Sequence, residues 1–206
     1  LDNTTIHFES EPHRNGGPRY FSASGGAFTL GANLVLHGGE AQVTGTNTVT
    51  NRGLISADVL EQDFTIGGYP FINEGTIQAV NGGELIIGVS YTNRFINHGT
   101  IRVQDSMFKL GGVLAPSDLG TFERTGGTVV FQGTLENAGQ TFTLNSATGS
   151  WYLNGTIQGG TLRTEGGSQW LVEAHPYSPG RYGSLDGVTL ATDISLGNNA
   201  ELTIRN

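Results

Sequence analysis

Three charged side chains occupy the same place in a short repeated segment. Arg52, Glu74 and His98 each stand between an Asn and a Gly, and the steps between them are 22 and 24 residues. If these segments stack as coils of a solenoid, the side chains lie on successive coils about 4.8 Å apart. A base beside a charge-neutralising group would suit a polysaccharide lyase, whereas hydrolases need two carboxylates across a sugar bond. Alternating charge is equally typical of a solvated surface, where an ion pair contributes little.

Two tyrosines stand in a stretch that departs from the repeat. Tyr177 and Tyr182 lie within residues 173–184, which are rich in Pro and Gly. Tyrosine is favoured as an anchor in interfaces because its ring is large and its hydroxyl is polar. Together with the three charged residues, these tyrosines are our candidates for contacts with a ligand or a partner.

The repeated segments align without gaps over residues 50–57, 72–79 and 96–103. Asn and Gly are constant, while the residue between them varies. We expect the Gly to supply a positive φ and the Asn to bond to neighbouring backbone. In a stack, equivalent Asn and Ile side chains would form two ladders. The residues concerned are Asn51, Asn73, Asn97, Ile55, Ile77 and Ile101.

A second pattern runs through the chain. It has an apolar residue on each side of a variable one and is usually followed by Gly or Asn. Examples are Phe28-Thr29-Leu30, Phe64-Thr65-Ile66 and Phe142-Thr143-Leu144. Alternation with a period of two indicates half-buried strands, and no apolar pattern of helical period persists. A repeat of about 22 residues equals one coil of a β-helix. We therefore predict an all-β chain, a parallel β-helix (solenoid) of about nine coils with at least two strands in each.

The regularity of the repeat varies along the chain. Residues 1–24 are expected to form an irregular N-terminal cap or lead-in, and residues 25–206 the β-helix. Excursions are expected near 112–127 and 173–184, where Pro residues interrupt the pattern. The chain starts at Leu1 and ends just after a strand-like run, so we expect it to be a piece of a longer protein.

The composition and the absence of known motifs argue against nucleic-acid binding, membrane insertion, and metal or cofactor chemistry. The net charge is −8 and Lys109 is the only lysine, so no basic patch is available to hold nucleic acid. No apolar run approaches the roughly 18 residues of a membrane span. There is no Cys, and no zinc, calcium, phosphate-loop or nucleophile-elbow motif is found. We therefore expect no enzyme activity, no metal and no cofactor.

The Asn-x-Gly-Thr-Ile repeats resemble the β-helical stretches of autotransporter passengers and of adhesins like filamentous haemagglutinin. Residues 183–190 and 196–204 are similar to repeats in other very large bacterial surface proteins. The resemblance implies a right-handed β-helix, secretion to the cell surface or medium, and a role in adhesion or surface architecture. It carries over no functional residue. We expect a structural or adhesive segment that self-associates into filaments or contacts host or surface glycans or proteins. The alternative is a carbohydrate-binding or polysaccharide-degrading β-helix.

Overall fold

The computed structural model describes residues 1–9, 17–67, 70–88, 93–173 and 182–206. Within these ranges the chain forms 27 β-strands and one short 3-10 helix, Pro116–Leu119, and no α-helix. The strands are β1 (Thr4–Phe8), β2 (Arg19–Ala23), β3 (Phe28–Leu30), β4 (Leu34–Gly38), β5 (Ala41–Gly45), β6 (Val49–Asn51), β7 (Leu54–Ala57), β8 (Asp63–Ile66), β9 (Phe71–Asn73), β10 (Thr76–Ala79), β11 (Glu84–Ile87), β12 (Phe95–Asn97), β13 (Thr100–Gln104), β14 (Met107–Leu110), β15 (Val113–Leu114), β16 (Thr121–Thr125), β17 (Thr128–Phe131), β18 (Thr134–Glu136), β19 (Thr141–Leu144), β20 (Trp151–Leu153), β21 (Thr156–Gln158), β22 (Thr161–Thr164), β23 (Trp170–Val172), β24 (Tyr182–Asp186), β25 (Thr189–Ala191), β26 (Ile194–Leu196) and β27 (Glu201–Arg205).

Every third strand returns to the same face of a parallel β-solenoid. Face 2 is one continuous sheet of nine strands, β2 to β26, so the chain has nine rungs and makes about eight turns from first to last. Face 1 comprises β1 to β16 and then, as a separate sheet, β19, β22 and β25; face 3 comprises β3 to β12 and then β15 to β27. All the strand pairings described are parallel. The predicted parallel solenoid is confirmed, and its right-handed sense stays a prediction.

Each rung contains three strands, one more than the minimum we expected. The additional strands of face 3 are short; β6, β9 and β12 have three residues each and end at the repeated Asn. A three-residue strand is too brief to show alternation by itself, which is why the sequence pattern does not reveal it.

The core runs along the axis as columns of stacked side chains. Leu36, Ile55, Ile77 and Ile101 lie one above another in register on face 1, and each is fully buried. Towards the later rungs the core becomes aromatic, and the rings of Trp151 and Trp170 meet with centroids 5.9 Å apart. Burial of these columns supplies the main stabilisation of the fold, at about 25 cal/mol per Å² of apolar surface.

The irregular stretches contain more solenoid structure than expected. Within 1–24, β1 and β2 pair in parallel with β4 and β5, so the described part of this stretch forms strands of the first rung. Within 112–127, β15 and β16 continue the stack and the short 3-10 helix joins them. Of the excursion at 173–184, residues 174–181 lie outside the described residues, and β24 begins at Tyr182.

Face 1 is interrupted between β16 and β19, which belong to different sheets. Arg124 takes the position in β16 that Val103 occupies, fully buried, in the rung before. Its guanidinium donates hydrogen bonds to the carbonyls of Gly126 (3.0 Å), Gly127 (2.6 Å), Thr148 (3.2 Å) and Ser150 (2.7 Å). Burial lowers the pKa of the Arg124 guanidinium, against an opposing effect of Tyr152. The arginine thus binds loop carbonyls at the place where strand pairing stops.

Candidate functional site

The three repeated charges do form a column on the surface. Arg52 Nε donates to Glu74 Oε2 at 2.7 Å, and the two side chains are 57% and 40% exposed. His98 occupies the equivalent exposed position one rung further along. Because water screens an exposed pair of this kind, it contributes little to stability and is not held in a desolvated, activated state. The column can present the opposite charges of Arg52 and Glu74, with the His98 imidazole beside them, to a partner.

A buried ladder of Asn side chains lies beside this column. Asn51 Nδ2 donates to Asn73 Oδ1 at 2.8 Å, and Asn73 Nδ2 donates to Asn97 Oδ1 at 2.7 Å. Asn97 Nδ2 in turn donates to the carbonyl of Leu119. All three amides are almost completely buried. The ladder satisfies their hydrogen-bonding groups along the axis, which a buried amide requires.

The Gly that follows each ladder Asn has a different role from the one we expected. The three turn glycines, Gly53, Gly75 and Gly99, do not have positive φ. Instead, a Cβ on Gly75 would lie 2.2 Å from the carbonyl oxygen of Gly53, and one on Gly99 would lie 2.0 Å from that of Gly75. These glycines are therefore required because adjacent rungs approach each other closely at this turn.

Of the two candidate tyrosines, Tyr182 is described and Tyr177 lies outside the described residues. Tyr182 is 64% exposed at the start of β24. It borders a shallow groove that includes Asn154, Thr156 and Arg205. Along this groove the hydroxyl residues Thr134, Thr156, Ser184 and Thr203 stand in register on successive strands of face 3, and of these the Ser184 Oγ is buried. An exposed ring beside a row of hydroxyl and amide groups suits a polar ligand with an apolar face.

A partly buried ion pair on the outer side of face 2 was not predicted. Lys109 Nζ contacts Glu84 Oε1, and their side chains are only 16% and 13% exposed. Asp63 lies directly opposite Glu84 on the neighbouring strand. Burial raises the pKa of the Glu84 carboxyl and Asp63 raises it further, while Lys109 acts in the opposite direction. The repeat gave no signal for this pair because its residues fall at variable outward positions.

Two histidines of the first rungs also come together. The rings of His7 and His37 stack with centroids 4.5 Å apart, and His37 Nδ1 lies 3.1 Å from Asp58 Oδ2. Nonetheless, in the part of the chain that the structure describes, no group of three or more His, Asp or Glu side chains is placed to hold a metal ion. The same residues include no helix long and apolar enough to cross a membrane.

We compared the chain with protein families, curated proteins and solved structures. No family model, no curated protein and no solved structure matches the chain.

Proposed function

We propose that this chain is a structural and adhesive segment of a large secreted or cell-surface bacterial protein, and that it associates with itself end to end. The proposal rests on nine rungs of parallel pairing, each stacked on the one before. A stack of this kind is a stiff rod whose strength comes from contacts between neighbouring rungs.

The last rung presents core positions to solvent. Leu190, Leu196 and Ile204 are 43%, 53% and 63% exposed. Their in-register partners in the preceding rung are Leu162, Val172 and Leu185, which are all buried. An apolar surface beside unpaired strand edges favours a further parallel rung. In the isolated chain a second copy can supply such a rung, and repetition of that contact would produce a filament.

The test is sedimentation velocity over a rising protein concentration. We expect the unmodified chain to form larger species as concentration increases, and the double variant Leu196→Lys/Ile204→Lys to remain monomeric. Two ammonium groups in that surface would have to be desolvated for a rung to stack on it.

Leu60→Lys is the matched control, because Leu60 is 66% exposed at a corner of the solenoid and far along the chain from the last rung. This variant should assemble like the unmodified chain. A chain that stays monomeric at every concentration, or assembly that Leu60→Lys abolishes equally, would contradict end-to-end association.

Glycan binding is a second candidate function, and the exposed Tyr182 beside the hydroxyl-lined groove of face 3 favours it. We expect binding on a glycan array to weaken at least about tenfold in Tyr182→Ala, because an aromatic anchor carries much of the energy in such contacts. Tyr20→Ala is the control, since Tyr20 is equally exposed on face 2. Equal binding by both variants would rule out this groove, and release of sugar fragments would support the polysaccharide-degrading alternative instead.

A further inference from the structure

The ion pair between Lys109 and Glu84 stands apart from the other ion pairs of the described chain. The other described cationic partners are arginines or a histidine, and Lys109 is the only lysine among the 206 residues. It is also the pair with the least exposed side chains. A single lysine at the most enclosed ion pair suggests that its chemistry matters there as well as its charge.

Lys109 has apolar neighbours on both sides along the axis, and Glu84 has one on the side of Lys109 and Asp63 on the other. In register, Lys109 stands between Ile86 and Val130, and Val130 is almost completely buried. Glu84 stands beside Met107, which is also buried. Partial burial of this kind disfavours the charged form of a carboxyl group. Glu84 follows this rule, because burial is the largest cause of its raised pKa.

We propose that Lys109 and Glu84 join in an isopeptide bond, a covalent link between neighbouring rungs. The Lys109 amine attacks the Glu84 side-chain carbonyl carbon, a C–N bond forms, and the C–O bond to the hydroxyl breaks. The hydroxyl leaves with one amine proton as water, so amine and acid give an amide and water without any oxidant or other reactant. Asp63, directly opposite Glu84, raises the pKa of the Glu84 carboxyl and so favours the neutral acid that the amine attacks.

Lysine and arginine differ in the property that this reaction needs. A lysine amine becomes a nucleophile once it is neutral, whereas an arginine guanidinium stays protonated in proteins. An ion pair alone would be served equally well by arginine, as it is at Arg52, Arg94 and Arg102. A covalent link between rungs would reinforce the proposed scaffold, a rod that has no Cys.

The experiment is an intact mass measurement on the purified, denatured chain. We expect a mass lower than that of the sequence by about 18 Da, one water. After trypsin digestion, residues 53–94 and 103–124 should appear as one cross-linked species, with no cleavage after Lys109. An amine-reactive label added in denaturant should attach only at the chain's N-terminal amine, because Lys109 is the only side-chain amine.

Lys109→Arg is the matched variant, since it preserves the charge and cannot form the amide. It should have the mass of its own sequence, and Glu84→Ala should behave in the same way. Asp63→Asn should slow formation of the bond, so that a mixture of masses is seen early after synthesis. An unmodified chain with the full sequence mass and two labelled amines would overturn the proposal. That outcome would leave end-to-end association untouched, because sedimentation measures it independently.

Discussion

Replacing Gly75 with alanine is expected to lower the free energy of unfolding by about 3 kcal/mol or more. The added Cβ would lie 2.2 Å from the carbonyl oxygen of Gly53, far inside contact distance. That oxygen already accepts a hydrogen bond from the Thr76 amide at 2.9 Å, so it cannot move away without breaking the pairing of the rungs. Urea denaturation followed by circular dichroism measures the free energy, and thermal denaturation should show a fall in Tm of roughly 6 to 12 °C.

Gly26→Ala is the matched control for this substitution. A Cβ on Gly26 meets no atom within 4 Å, and its φ lies outside the left-handed region. Its stability should change by less than about 0.5 kcal/mol, as for an ordinary surface change. Equal loss of stability in the two variants would mean that close approach of the rungs is not the reason for glycine at position 75.

Replacing Asn73 with alanine is expected to cost about 2 to 4 kcal/mol, because it removes the middle of the buried amide ladder. Asn51 Nδ2 would lose its acceptor at 2.8 Å, and Asn97 Oδ1 would lose its donor at 2.7 Å. Both groups are shielded from water, which cannot replace the lost partner without opening the turn. The same urea titration measures the loss, and the m-value should stay unchanged if only the native state is affected.

Asn47→Ala provides the comparison for the ladder. Asn47 is exposed and bonds only to the neighbouring Thr46 hydroxyl at 3.2 Å among the described hydrogen bonds. We expect this variant to unfold at the urea concentration of the unmodified chain. A loss in Asn73→Ala no larger than that in Asn47→Ala would show that the ladder adds no net stability.

Much of the architecture could be predicted from the sequence because a solenoid repeats its constraints at every turn. The constant Asn and the Ile four residues later have the same surroundings in each rung, so Asn73 and Ile77 mark the period on their own. The number of rungs follows directly from that period. The third strand of each rung could not be predicted, since three residues such as Phe71–Asn73 carry too little pattern.

The features that could not be predicted are contacts between side chains of neighbouring rungs that do not recur along the chain. Lys109 and Glu84 come together because face 2 places residues of two adjacent strands in diagonal contact, and only the register reveals it. Arg124 stands where earlier rungs have Ala79 and Val103, so it breaks the repeat and the pattern does not indicate what it binds. The predicted role of the turn glycines was wrong for a similar reason. The local sequence shows that glycine is required at the turn, but it does not show that a neighbouring rung sets the steric limit.

The interruption of face 1 affects where unfolding of the rod begins. Hydrogen-bonded pairing stops between β16 and β19 on that face, and face 3 passes from β12 to β15 through a single isolated bridge at Arg94 and Val113. Face 2 alone is continuous across both places. The covalent link proposed between Glu84 in β11 and Lys109 in β14 would hold the rungs on either side of the isolated bridge together. In a one-dimensional array, opening starts at the weakest interface between neighbours, so we expect the rungs up to β18 and those from β19 on to behave as two cooperative units. Heat or pulling would then separate these units at the interface between β16 and β19 before either one melts.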